Sequence, residues 1–273
     1  MKFDVSTRRK IAAAAVLALA LGTIGGSATN LAANEPPADS ASEADDGGAV
    51  AVTSDGEQTA AEAHGWGQAT KVEDFSGDLS SWTLYDGEGH DGNGRRTPEA
   101  ASVSDGVLTI KGDARGDAEG MEWNPGVTYG RWEARVRASV ADKDYHAVLL
   151  LWPDSEKWPD DGEVDFMENS DPTRQHTDFF LHFGNGTSDG AQLHGAVTAD
   201  ATQWHNWAVE WAPDHITAYL DGQRWWTTTE KKALPPGPMH MTIQLDNFRS
   251  HGRLKPSSMQ VDWVRYYPMS DQS

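Results

Sequence analysis

No cysteine occurs among the 273 residues of the chain. That absence removes disulfides, thiolate nucleophiles and cysteine-built zinc sites together, so an exported form of this protein must be stable by core packing alone. Positive charge is also scarce: 22 Lys and Arg stand against 42 Asp and Glu, a formal charge of −20. Such a balance argues against nucleic acid and anionic membranes as partners and favours a neutral or weakly charged substrate. Helical periodicity of useful length and internal repeats are absent, as are His-Glu-x-x-His and Gly-x-Ser-x-Gly patterns. The apolar run from Ile11 to Leu21 is short for a membrane span.

That run follows Lys2, Arg8, Arg9 and Lys10 and precedes the small residues Gly25, Gly26, Ser27 and Ala28. The order is that of an export signal over residues 1–28, cleaved near Ala28 or Ala33. Arg8-Arg9 fits both a twin-arginine signal and an ordinary one. Residues 29–66 are rich in Ala, Ser, Asp, Glu, Pro and Gly and are expected to form a disordered linker, either a tether or a remnant of processing. The folded domain is expected over 67–268, with a tail at 269–273. The expected product is a secreted monomer that leaves the membrane once its signal is cleaved.

From Gly67 onward aromatic and β-branched residues recur in short alternating runs between turn residues, the pattern of an all-β domain. Strands are predicted at 107–110, 129–136, 146–152, 163–168, 178–183, 207–211, 216–220, 239–245 and 260–266, with a hairpin turn at Asp221-Gly222. Short strands over this span point to one β-sandwich.

Within it, Gly162-Glu163-Val164-Asp165-Phe166-Met167-Glu168 puts three acids into a strand that reads as buried. Glu163 and Asp165 share one face by alternation, and Glu168 falls on the other. A β-bulge near Phe166 or Met167 would reset the alternation and bring all three acids to one face. Three close carboxylates do not all ionise, so at least one keeps a proton near neutrality. Cleavage of a glycosidic bond uses that asymmetry, one carboxylate attacking while a second delivers a proton. The Cα atoms of Glu163 and Glu168 would stand roughly 13 Å apart, so their side chains must converge. Taken alone, the pattern is equally compatible with an acidic loop.

Four co-linear blocks resolve that choice: residues 129–136 (Tyr-Gly-Arg-Trp-Glu-Ala-Arg-Val), 162–168, 204–222 (Trp-His-Asn-Trp through Asp-Gly) and 261–267 (Val-Asp-Trp-Val-Arg-Tyr-Tyr). Together they resemble glycoside hydrolase family 16, the clan of laminarinases, lichenases and agarases, in its bulged Glu-x-Asp-x-x-Glu branch. The resemblance implies Glu163 as nucleophile, Glu168 as general acid then base, and Asp165 as the residue that positions and tunes the nucleophile. It implies an all-β fold, a β-jelly-roll sandwich of two antiparallel sheets with a concave groove, and retention of configuration with no catalytic cofactor. Internal β-linkages of a polysaccharide partner would be cut, in β-1,3- or β-1,3-1,4-glucan. A β-galactan, transglycosylation, or a catalytically silent carbohydrate-binding protein are the alternatives.

Sugars present apolar faces, so aromatic platforms are expected beside the acids. Candidates are Trp158, Trp152, Trp123 and Tyr145, with His182, His146 and Gln244 as polar neighbours; Trp132, Trp207, Trp211 and Trp263 read as core. A glycine-rich loop at 86–94 is expected over the groove. The resemblance also implies a structural calcium on the convex side, whose positions Glu73, Gly106 and Asp262 match loosely. Two departures from the family pattern stand close to the expected subsites. His146 replaces a sugar-stacking Trp, and Gln244-Leu245-Asp246-Asn247-Phe248 replaces a conventional Asn-Leu-Ala-x-Gly-Gly.

Overall fold

The computed structural model describes residues 50–51 and 58–269. The expected signal 1–28, most of the expected linker and all of the tail but Met269 lie outside the described residues. Among the described residues eighteen strands follow in chain order: β1 (Val50–Ala51), β2 (Lys71–Glu73), β3 (Thr83–Leu84), β4 (Gly87–Glu88), β5 (Arg95–Arg96), β6 (Ala101–Ser104), β7 (Val107–Gly112), β8 (Gly120–Val127) and β9 (Gly130–Ala138). The remainder are β10 (Tyr145–Pro153), β11 (Glu163–Asn169), β12 (His176–Phe183), β13 (Ala191–Thr198), β14 (His205–Trp211), β15 (Ile216–Leu220), β16 (Gln223–Thr228), β17 (Met239–Asn247) and β18 (Ser257–Tyr267).

All but β4 and β5, which pair with each other, form two large sheets. The first has the order β1-β13-β12-β11-β10-β17-β8-β3, antiparallel except for the parallel β1–β13 pair. The second runs β16-β15-β14-β9-β18-β7-β6, with β2 also paired to β18. Beside runs of consecutive strands, some neighbours in these orders are far apart in sequence, as β10 beside β17 and β9 beside β18 show, which is the crossed connectivity of a jelly roll.

Alternation explains the layering. Tyr145, Ala147, Leu149 and Leu151 of β10 enter the core between the sheets, as do Met239, Met241, Ile243 and Leu245 of β17. The intervening His240, Thr242, Gln244 and Asp246 turn to the opposite face, yet each is below 9% exposed. A face that covers its polar side chains so completely is recessed, and that recess holds the site.

All nine predicted strands are present, and the Asp221-Gly222 turn has φ of +48° and +76°, the two left-handed residues a type I′ hairpin requires. The long strands that the pattern missed have identifiable disguises. β8 carries Gly120, Asn124-Pro125 and Gly126, which read as a turn. In β13, Gly195 breaks the alternation because a Cβ there would lie 2.1 Å from the Trp226 ring. Trp132, Trp207 and Trp211 lie in the core as expected. Trp263 does not; it is half-buried on the outer face with the Arg265 guanidinium 5.0 Å from its ring.

The expected linker is corrected at its end. Ala60–His64 forms a helix, α1, capped by Thr59 and Glu62 in a reciprocal capping box. Trp66 beyond it packs with Ala60, Ala61, Ala208, Tyr219 and Tyr267 on the outer face of the second sheet. Order here comes from two large rings and one buried acid, a contribution that the polar composition upstream conceals. Glu133, fully buried on β9, accepts hydrogen bonds from the Ala60 and Ala61 amides.

Burial pushes the Glu133 carboxyl up to about 7 from 4.5, although those amides oppose the shift. A carboxyl raised by folding contributes stability that is present below its unfolded value and lost as pH rises through its folded one. Glu133→Gln removes this dependence. The variant should lose less stability than the parent between pH 4.5 and 8, measured by urea unfolding at each pH.

Candidate active site

The acids depend on one irregularity in β11. Against β10, Leu150 pairs with Asp165 but Leu149 pairs with Met167, so Phe166 is skipped. Against β12, Asp165 pairs with Phe180 and Glu168 with Asp178, again with one residue too many on β11. Phe166 and Met167 both enter the core together with Val164. Glu163, Asp165 and Glu168 are thereby left on the recessed face, at 7%, 4% and 6% exposure.

Each acid meets a different neighbour. His182, opposite Glu163 in β12, places Nε2 3.3 Å from Asp165 Oδ2. His146 on β10 places Nδ1 2.6 Å from Glu168 Oε1. Glu163 Oε2 and the Trp158 Nε1 atom are buried without a hydrogen-bond partner of good geometry. Potential ligand atoms of Glu163, Asp165 and His182 lie within 4.8 Å of one another, the only such donor group among the described residues.

Burial raises the Glu163 carboxyl well above the usual carboxylate range, and the charges of Asp165 and Glu168 add to it while His182 opposes. Asp165 is raised likewise, first by burial, then by Glu168, with Asp246 adding and a hydrogen bond with Glu163 opposing. Neither is an ordinary ionised surface acid. The cluster can hold a proton, share it between carboxyls and offer an anionic oxygen to an electrophilic carbon.

The other expected site residues divide. Trp152 and Trp158 stand on the recessed face, packed with Val148 and Leu150; Trp152 Nε1 donates to Glu156 Oε2 at 3.2 Å. The Trp158 ring lies 5.9 Å from that of His182. Gln244 is on the same face, its Oε1 accepting from Arg96 Nη2 at 3.1 Å. Trp123 and Tyr145 are not in the groove. Trp123 belongs to the core, stacked 5.3 Å from Trp82, and Tyr145 is fully buried there with its hydroxyl donating to Asp113 O. Strand parity is the reason, since both point opposite to the groove residues next to them in sequence.

Several groove residues were not anticipated. Arg96 pairs with Asp246 at 2.6 Å, both nearly buried. His240 places Nδ1 2.7 Å from Asp154 Oδ1 and Nε2 3.5 Å from Glu122. Phe180 stacks on His194 at 4.8 Å. The polar positions 240, 242, 244 and 246, interleaved with Met239, Met241, Ile243 and Leu245, were a readable signal. The loop at 86–94 reaches the acids' end of the face, where His90 meets Phe248 with ring centroids 4.1 Å apart.

The residues matched to calcium do not fit it. The Glu73 carboxylate already accepts from Phe75 N, Ser81 Oγ and Trp82 Nε1. Arg265 donates to Glu73 O at 2.9 Å and to the Asp74 carboxylate, so a guanidinium already holds the oxygens a hard cation would need. Asp262 faces another cation, Arg135, at 3.7 Å.

The family model described as glycosyl hydrolases family 16 matches residues 91–265. A "Beta-glucanase" of Rhodothermus marinus is 30% identical, the match covering 71% of this chain and 82% of that protein. A "Glucan endo-1,3-beta-glucosidase A1" of Niallia circulans is 26% identical over 60% of this chain and 30% of its own length. Among solved structures, the laminarinase catalytic domain of Thermotoga maritima shares the fold with a TM-score of 0.64 at 18% identity, covering 75% of this chain and 99% of that one. The endo-β-1,3-glucanase of Pyrococcus furiosus gives 0.63 at 20%, covering 74% and 94%.

Because Asp165 is raised by burial and by a like charge, ionising it costs more stability as pH rises. Asp165→Asn should raise Tm by about 2–4 °C at pH 8, with a smaller gain at pH 5, in calorimetry of the purified protein.

Proposed function

The chain belongs to glycosyl hydrolases family 16, and from that premise we propose that it is an endo-acting β-glucan hydrolase that cuts internal β-1,3 or mixed β-1,3-1,4 linkages with retention of configuration. The observation that carries the reading is the bulge at Phe166, which gathers three buried carboxyls on one recessed face within the matched region. The similar β-glucanase and endo-1,3-β-glucosidase support the substrate class.

Glu163 is the nucleophile. Its buried carboxyl must be ionised to attack C1 of the sugar; burial and Asp165 oppose that charge, and the nearby His182 imidazole favours it. Glu168 protonates the departing oxygen as the C1–O bond breaks, then takes a proton from the water that resolves the ester. A retaining pair works at about 5 to 5.5 Å between carboxyls. Asp165 sits between them, hydrogen-bonded with Glu163 and braced by His182, and sets the direction and charge of the nucleophile. Trp158 and Trp152 supply apolar surface for the sugar faces. Water and two carboxyl groups suffice for this chemistry.

We also infer export, from the basic and apolar order at residues 1–28. No helix among the described residues is long and apolar enough to cross a membrane. Recovery of a shortened chain from culture medium, with its new N-terminus sequenced, tests this.

Purified protein should release reducing ends from laminarin or mixed-linkage glucan. Glu163→Gln should fold normally and lose turnover by at least about 10³-fold; undiminished hydrolysis would remove Glu163 from its role. The first product followed by NMR should keep the β-configuration. Because Glu163 is raised and must ionise, kcat/KM should fall with decreasing pH through a midpoint above the ordinary Glu value of about 4.3.

A further inference from the structure

The two departures from the family pattern, His146 and the segment ending at Phe248, meet in the fold. Their rings stack with centroids 3.9 Å apart and planes 19° from parallel. The imidazole so held puts Nδ1 2.6 Å from Glu168 Oε1. We propose that His146, clamped by Phe248, is a positioning residue that fixes the Glu168 carboxyl in the orientation from which it protonates the leaving oxygen. The proposal deepens the function proposed above and rests on it.

The backbone on both sides of this contact is stapled. His146 pairs with Asp246 in the β10–β17 register, and Phe248 N donates to Asp144 O at 2.8 Å. Arg249, next to Phe248, bridges Asp142 and Asp144 at 2.8 and 2.6 Å. Arg174, fully buried, donates to Tyr145 O at 3.0 Å and also to Asn169 O, tying the residue before His146 to the residue after Glu168. His90 packs against Phe248 from the glycine-rich loop. The ring therefore has little freedom to swing away from the carboxyl.

The pairing is also selective. Asp165, Asp178 and Asp246 lie around Glu168 from β11, β12 and β17, and each has its own partner: His182, His194 and Arg96. His146 is left to Glu168. A sugar-stacking aromatic at this position would touch substrate; a hydrogen-bonded imidazole acts through the acid, and makes or breaks no bond itself. In the first half-reaction the proton passes from Glu168 to the glycosidic oxygen as Glu163 bonds to C1. In the second it returns to Glu168 from water.

Dependence on the leaving group separates this role from a structural one. His146→Phe keeps a ring on Phe248 and deletes the hydrogen bond. On laminarin kcat should fall by about 10–100-fold, while on a dinitrophenyl β-laminarioligoside, whose leaving group departs without a proton, the first step should fall less than about threefold. His146→Gln should recover part of the laminarin rate. Phe248→Ala, which frees the ring and leaves His146 in place, should show the same substrate-dependent loss in smaller measure and serves if His146→Phe does not fold. Equal losses on both substrates, or undiminished turnover of laminarin, would overturn the proposal. Glu168→Gln is the control for the underlying reading, because it must show the larger leaving-group dependence. If it does not, the acid itself is misassigned, whatever His146 does.

Discussion

One surplus residue in a single strand governs this molecule. A β-strand with strict alternation divides any Glu-x-Asp-x-x-Glu sequence between its two surfaces, burying one carboxylate against the core. The bulge at Phe166 sends two consecutive side chains inward and returns the parity to the acids. The rest of the recessed face is arranged around that decision. β10 supplies His146, Val148, Leu150 and Trp152 to it, β12 supplies Phe180 and His182, and β17 supplies four alternating polar residues.

Collecting carboxyls under cover costs stability, and the fold offsets the cost locally rather than with one dominant counter-charge. Histidines or an arginine stand against the acids one by one: His146 at Glu168, His182 at Asp165, His194 at Asp178, His240 at Asp154 and Glu122, Arg96 at Asp246. This is how a chain of charge −20 keeps a groove whose potential is not simply that of its surface. It also leaves Glu163, near Trp158, as the acid without a strong partner, which suits a group that must react.

Much of this was legible in the order of residues, and the exceptions share a cause. Strand positions and the need for a bulge follow from short alternating runs and from three acids that make sense only together. Facing was harder: Tyr145 and Trp123 lie one residue from groove side chains and point the other way, a distinction that requires the register of strands distant in sequence. Phe248 and His90 could not be placed because the contacts of Phe248 with His146 and with His90 cross loops whose paths no periodicity encodes. The structured stretch at 60–66 was hidden by the company it keeps, since its few apolar residues matter only against Tyr219, Tyr267 and the buried Glu133.

On the far side of the sandwich, Arg265 reaches across to the carbonyl of Glu73 and the carboxylate of Asp74. A counter-ion that is covalently part of the polypeptide cannot be washed out by a chelator or depleted by a dilute medium. Its local concentration is fixed by the chain, so the tie between β18 and the segment after β2 persists at any dilution.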